Sequence, residues 1–152
     1  MEFTISASSL RTVRSLAAAA KGRTVEERQL TDCARQLLRA RKKIAALAPK
    51  GLFRDSAWDM MLELFISTEE GGIVYVKQMM LASGESAAAA MRRIDRLDQA
   101  EFLDRVPDML DQRRVIVRLT ERGRTAMLAM LKHVYDPAAP SAAVPVSFKP
   151  QR

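Results

Sequence analysis

From Thr24 to about Leu47 the chain runs without a single Pro or Gly, and this uninterrupted stretch limits the folds open to it more than any other feature. Thr24-Val25-Glu26-Glu27 has the pattern of a capping box, in which the threonine hydroxyl accepts from an early helical N–H and Glu27 reaches back to the cap. Leu30, Cys33, Ala34, Leu37, Leu38, Ile44 and Leu47 recur mostly at three- and four-residue steps, so the predicted helix has one apolar face. At 1.5 Å per residue it is roughly 33 Å long, more than one small core requires. Part of the stripe is therefore expected to pack on another chain. Ala48-Pro49-Lys50-Gly51 ends the element, because the residue before Pro avoids helical angles and Gly turns freely.

A chain of 152 residues holds one ordinary domain, and with aromatics scarce and Ala, Leu and Met abundant its main structure is expected to be helical. A second helix is predicted from near Ser56 to about Ser67, with Asp59 completing a weaker capping box and Trp58, Met61, Leu62 and Phe65 on its buried face. Glu69-Glu70-Gly71-Gly72 reads as a turn and Ile73-Val74-Tyr75-Val76 as a short strand. A short helix from about Val76 to Ala82 is broken by Ser83-Gly84, and another runs from Glu85 or Ser86 to about Ala100 with Ala87, Ala90, Met91, Ile94 and Leu97 on one stripe. Two helices joined by a tight Gly-containing turn make a helix-turn-helix candidate.

Phe102 to Val106 and Val115 to Leu119 alternate as strands of a half-exposed hairpin. Thr120 then caps a last helix whose core stripe is Met127, Met130, Leu131 and Val134, stopped by Asp136-Pro137. The expected fold is thus mainly α with a small β hairpin: a winged helix-turn-helix with long N-terminal and C-terminal helices. Residues 24–136 form this domain, residues 1–23 a flexible or partly helical basic leader, and residues 137–152 a flexible tail.

Charge is laid out unevenly. Residues 1–50 carry eleven basic and four acidic side chains, a balance of +7 that equals the net charge of the whole chain. Residues 51–72 set Arg54 against Asp55, Asp59, Glu63, Glu69 and Glu70, so this segment is expected to face away from any polyanion. Basic residues return in two groups, Arg92-Arg93-Arg96 and Arg105-Arg113-Arg114-Arg118, on the second helix of the motif and on the hairpin. In a winged helix-turn-helix these are the parts that meet the major groove and the DNA backbone.

Several classes are disfavoured. The single Cys33 excludes an internal disulfide and fits a reducing compartment, so a cytoplasmic location is expected. No run reaches the 18 or more apolar residues of a membrane span, and the alanine run Leu16 to Ala20 is too short for a convincing export signal. No phosphate loop, HExxH or GxSxG motif occurs, and His133 and Cys33 stand far apart in sequence, so an enzyme is not expected. His133 reads as a surface or interface residue rather than a metal ligand, and Cys33 as a small buried hydrophobe. Trp58, Phe65 and Tyr75 are expected in the core.

The sequence resembles the MarR-type winged-helix transcriptional regulators. The resemblance is carried by Leu81-Ala82-Ser83-Gly84, Ile94-Asp95-Arg96-Leu97, Pro107-Asp108 with Asp111-Gln112-Arg113-Arg114, and Val117-Arg118-Leu119-Thr120-Glu121-Arg122-Gly123. It covers about Ala57 to Leu131 well and the long first helix more loosely. It implies an intertwined homodimer, with the long N-terminal and C-terminal helices as dimerisation helices, on a pseudo-palindromic double-stranded DNA operator, usually repressing transcription, with no resident cofactor and sometimes a small organic effector. It also implies that Arg113 looks into the minor groove and that Asp111 steadies it. Two departures stand out: Met109-Leu110 make the wing more apolar than the family's, and Glu101 occupies a turn position that resembles glycine in the family.

The candidate DNA-binding residues are Ser86, Ala88, Arg92, Arg93, Arg96, Arg113 and Arg114, with Asp111 supporting the wing. Ala87 to Ala90 offer only close apolar approach at the start of the reading helix, so specificity is expected to lean on Arg92, wing insertion and DNA shape. Leu30, Leu37, Ile44, Met127, Met130, Leu131 and Val134 are the candidate dimerisation residues. The arginines have an ordinary alternative, pairing with Asp95, Asp98 or Glu101. The competing function is a non-enzymatic winged-helix module that docks proteins and has little or no DNA affinity.

Overall fold

The computed structural model describes residues 24–136; the expected basic leader and flexible tail lie outside the described residues. Five helices and a three-stranded antiparallel sheet build a winged helix-turn-helix. Helix α1 spans Val25–Leu47. Both hydrogen bonds of its capping box form, Glu27 N–H to Thr24 Oγ1 and Thr24 N–H to Glu27 Oε2, each at 3.1 Å.

Helix α2 spans Ser56–Glu69. Its cap is Asp55, whose carboxylate accepts from the Trp58 N–H at 3.3 Å. Asp59, expected in a capping box, instead accepts from Arg41 of α1 at 2.6 Å and faces Arg54 at 3.5 Å. A carboxylate beside two guanidinium groups gains more from that charge than from a second cap bond. The helix also runs two residues past Ser67, into the stretch expected to turn.

Strand β1 is only Val74–Tyr75 and passes straight into α3, Val76–Ser83. Helix α4 spans Ala87–Gln99, β2 Leu103–Pro107, β3 Val115–Leu119 and α5 Glu121–Tyr135. The wing is therefore not a lone hairpin. β1 adds to it, giving the order β1-β3-β2 with Val74 opposite Val117 and Leu103 opposite Leu119. Phe102, expected in β2, belongs to the turn before it. Its N–H bonds the Leu97 carbonyl at 3.0 Å while the Glu101 N–H bonds that of Asp98 at 2.9 Å, the paired closure of a Schellman motif. Glu101 is left-handed there, with φ 60°.

Two core clusters share α2. Met61, Leu62 and Phe65 pack with Leu30, Ala34 and Leu38 of α1 and Met127 and Leu131 of α5. Met60 and Leu64, on the opposite side, pack with Val74, Met79, Ala90, Ile94, Leu103 and Val117. Buried on both sides, α2 fixes α4 and the sheet on one side and the long helices on the other. Each fully covered Leu or Met contributes roughly 1.5–3 kcal/mol. Arg124 of α5 ties the far side, reaching Glu69 at 2.8 Å and Glu27 at 3.4 Å. Phe65 lies in the core as expected, whereas Trp58 and Tyr75 are only half-buried, because Tyr75 sits on the short outer strand and Trp58 faces a cleft.

Candidate nucleic-acid interface

The turn between α3 and α4 is closed by its own side chains. Gly84 takes the left-handed conformation, φ 63°, and its N–H bonds the Leu81 carbonyl at 3.2 Å. The Ser83 hydroxyl donates to the Met80 carbonyl at 2.6 Å and accepts from the Glu85 N–H at 3.1 Å. Ser86 caps α4 by accepting from the Ala89 N–H at 3.3 Å, which leaves its hydroxyl hydrogen for an outside acceptor. Ala90 and Ile94 anchor the inner face of α4 with no exposed surface. Ala87, Ala88, Arg92 and Arg96 lie exposed, and a shallow depression of about 150 Å³ runs between Ala89, Arg92, Arg93 and Arg96.

The carboxylates expected to pair with these arginines are engaged elsewhere. Asp95 and Asp98 are both taken by Arg105 of β2, at 2.8 and 2.9 Å, and Glu101 is taken by Arg122 at 3.2 Å. Arg118 pairs across the hairpin with Asp104 at 3.0 and 3.1 Å. Arg93 is held by Glu85 through two bonds, and the Glu85 carboxyl is lowered from its ordinary value chiefly by that contact. Arg92 and Arg96 make no ion pair among the described residues. The clasp of Arg105 onto α4 also fixes the hairpin to that helix.

In the wing, Asp108 is buried and organises the loop. Its carboxylate accepts from the Leu110 N–H at 2.9 Å and from the Tyr75 hydroxyl at 3.2 Å, with the Arg114 guanidinium at 3.6 Å. These contacts, the Leu110 N–H first, hold its pKa below the ordinary carboxylate value. Arg114 also lies 4.5 Å from the centre of the Tyr75 ring, close enough for a cation–π attraction. Its charge is thus engaged inside the wing. Asp111 accepts from the Arg113 backbone N–H at 3.1 Å and pairs with Arg114 at 3.5 Å, so it shapes the loop without touching the Arg113 guanidinium. The Arg113 side chain makes no ion pair among the described residues.

Of the seven DNA-facing candidates, α4 gathers Ser86, Ala88, Arg92, Arg93 and Arg96, and the wing carries Arg113 and Arg114. Asp108 and Tyr75 were missed as wing braces. The signal for them was weak, since an Asp after Pro107 reads as an ordinary turn residue and the Tyr lies some thirty positions away. The dimerisation candidates divide. Leu30, Met127 and Leu131 are buried inside the chain and Leu37 packs beside them, whereas Ile44, Met130 and Val134 are 54%, 40% and 47% exposed.

His133 is exposed at the edge of an apolar cleft of about 510 Å³ whose walls include Trp58, Met61, Phe102 and Met127. Cys33 is a half-buried free thiol, and its carbonyl accepts from the Tyr135 hydroxyl at 2.8 Å. No three metal-ligating side chains cluster among the described residues. No helix among them is long and apolar enough to cross a membrane.

No protein-family model matches the chain. No curated protein matches it either. Among solved structures it is similar to a crystal structure of a mutant of MarR from E. coli, with 15% identity and a TM-score of 0.43, over 86% of this chain and 79% of that one.

Proposed function

We propose that this chain is a sequence-specific, double-stranded DNA-binding regulator of transcription, acting as a homodimer in the cytoplasm, with residues 24–136 as the functional unit. One observation carries the reading. On the solvent face of the second helix of a helix-turn-helix, Arg92 and Arg96 have no ion-pair partner among the described residues, while neighbouring Asp95 and Asp98 are occupied by Arg105. Arg113 adds a third open cation on the wing. Unpaired guanidinium groups on this face suit phosphates and the acceptor edge of guanine.

Dimerisation would cover three of the apolar side chains left exposed on the long helices, Ile44, Met130 and Val134, and would set two reading helices about 34–36 Å apart on a two-fold related site. Repression of the adjoining genes follows from the resemblance to MarR-type regulators. The cleft beside Trp58 and His133 suits a small organic effector, since its lining is mostly apolar.

The test is fluorescence anisotropy against duplexes selected from a random pool, at several salt concentrations. Six open arginines per dimer predict a slope of log K against log salt of roughly −5 if all reach phosphates. Sedimentation at low micromolar concentration is expected to give twice the 17.0 kDa chain mass. A protein with no salt-dependent duplex affinity would instead be the protein-docking module.

A further inference from the structure

The wing tip holds the two most exposed large apolar side chains among the described residues, Met109 at 91% and Leu110 at 92%. They are not there for want of order. Asp108 fixes the Leu110 N–H, Tyr75 and Arg114 fix Asp108, and the Asp108 N–H bonds the Arg114 carbonyl at 3.0 Å. The Arg114 N–H in turn bonds the Asp111 carbonyl at 3.0 Å. A buried carboxylate, an aromatic ring and a guanidinium thus hold a loop whose apolar residues cover nothing among the described residues.

Two side chains are far too small a patch for a stable protein interface, which buries about 800 Å² per partner. They also lack the area of a membrane anchor. Their surroundings name the occupant: the open Arg113 cation follows three residues after Leu110, and the hairpin is clasped by Arg105 to the helix bearing Arg92 and Arg96. The first turn of that helix, Ala87 to Ala90, has no polar side chain with which to read bases. A polyanion held on this face by charge meets an apolar point beside it.

Resting on the DNA-binding reading above, we propose that Met109 and Leu110 form a wedge that enters the minor groove, pries open a base step and bends the duplex, so that the protein selects its site by how readily that step deforms. Pyrimidine–purine steps unstack most easily, and inserted apolar side chains kink duplexes toward the major groove. Because the loop is braced beforehand, insertion requires little further ordering of the protein.

The experiment uses the full chain and duplexes selected from a random pool. They carry 2-aminopurine at the step under the wing and a donor–acceptor dye pair on the ends. The wild-type protein is expected to select TA or CA/TG steps there, raise the 2-aminopurine fluorescence and bring the ends together. The double variant M109S/L110S is expected to lose both signals and bind the selected duplex about tenfold more weakly, with an unchanged salt slope because no charge is altered. The apolar swap M109L/L110M should restore all three. Wild-type binding without the fluorescence rise, or a serine variant equal to the wild type, overturns the wedge while leaving DNA binding in place. A wild-type protein that binds no duplex overturns both readings.

Discussion

Arg93 grips Glu85 with two nitrogens, Nε to Oε2 at 2.6 Å and Nη2 to Oε1 at 2.8 Å, and so binds α4 back to the turn that precedes it. Arg92 and Arg96, on the same helix, have no such partner among the described residues. The three arginines therefore carry different loads. Arg92→Ala should cost roughly 1–3 kcal/mol of discrimination between a selected and a scrambled duplex. Arg93→Ala should weaken both duplexes alike and lower stability by up to about 1 kcal/mol, as expected for a partly exposed pair. Anisotropy on both duplexes together with urea unfolding separates the two outcomes.

Gly123, in the first turn of α5, leans directly on the turn after α4. A Cβ at this position would fall 2.0 Å from the Phe102 carbonyl oxygen, which is backbone and cannot rotate aside. Gly123→Ala should therefore destabilise the chain by roughly 3 kcal/mol, near the upper end for overpacking. The expected readout is a lower urea midpoint with an unchanged slope.

Which parts of this molecule were legible in the sequence follows from how local their causes are. The box at Thr24 and Glu27, the break at Gly84 and the cap at Thr120 are each decided within four residues, and each forms as the pattern implies. The helix-turn-helix, and the placing of the two arginine groups on α4 and the hairpin, follow from the same local signals. What stayed hidden was decided by distant partners. A single stripe through Trp58, Met61, Leu62 and Phe65 does not announce that Met60 and Leu64 are buried as deeply on the other side, because α2 lies between two cores. Likewise Arg105 and Arg118 look as available as Arg113 until Asp95, Asp98 and Asp104 are placed beside them. The two-residue β1 joins the sheet only through its match to β3, which no local propensity records.

Glu101 holds φ 60° in the turn closing α4, a conformation that costs a side-chain-bearing residue roughly 1–2 kcal/mol. Its ion pair with Arg122 is exposed and offsets little of this. Glu101→Gly should raise stability by about 0.5–1 kcal/mol and leave duplex affinity unaltered. Thermal unfolding with and without the selected duplex checks both halves.

The wing brace should fail in acid. The Asp108 carboxyl is held below its ordinary value of 3.8, first by the Leu110 N–H and then by the Tyr75 hydroxyl and Arg114. A carboxyl lowered on folding stabilises the native state fully above its unfolded pKa and loses that contribution as pH falls through the folded one. Asp108→Asn should therefore lower the urea midpoint at pH 7, with the gap to wild type narrowing below about pH 3.8. A gap that stays constant down to pH 2.5 would show that the Asp108 charge contributes nothing.

Strand β1 lends the fold an order of assembly. Val74 and Tyr75 find their partners, Val117 and Ile116, only after both α3 and α4 and the whole of β2 have been passed. During synthesis the helix pair that would read DNA thus emerges well before the strand that completes its seat, and closing so long a loop is slow relative to forming helices. A nascent or truncated chain ending before Val117 would hold α4 without that residue behind it. Helix α4 and the wing therefore mature together, and the face they share is complete or absent.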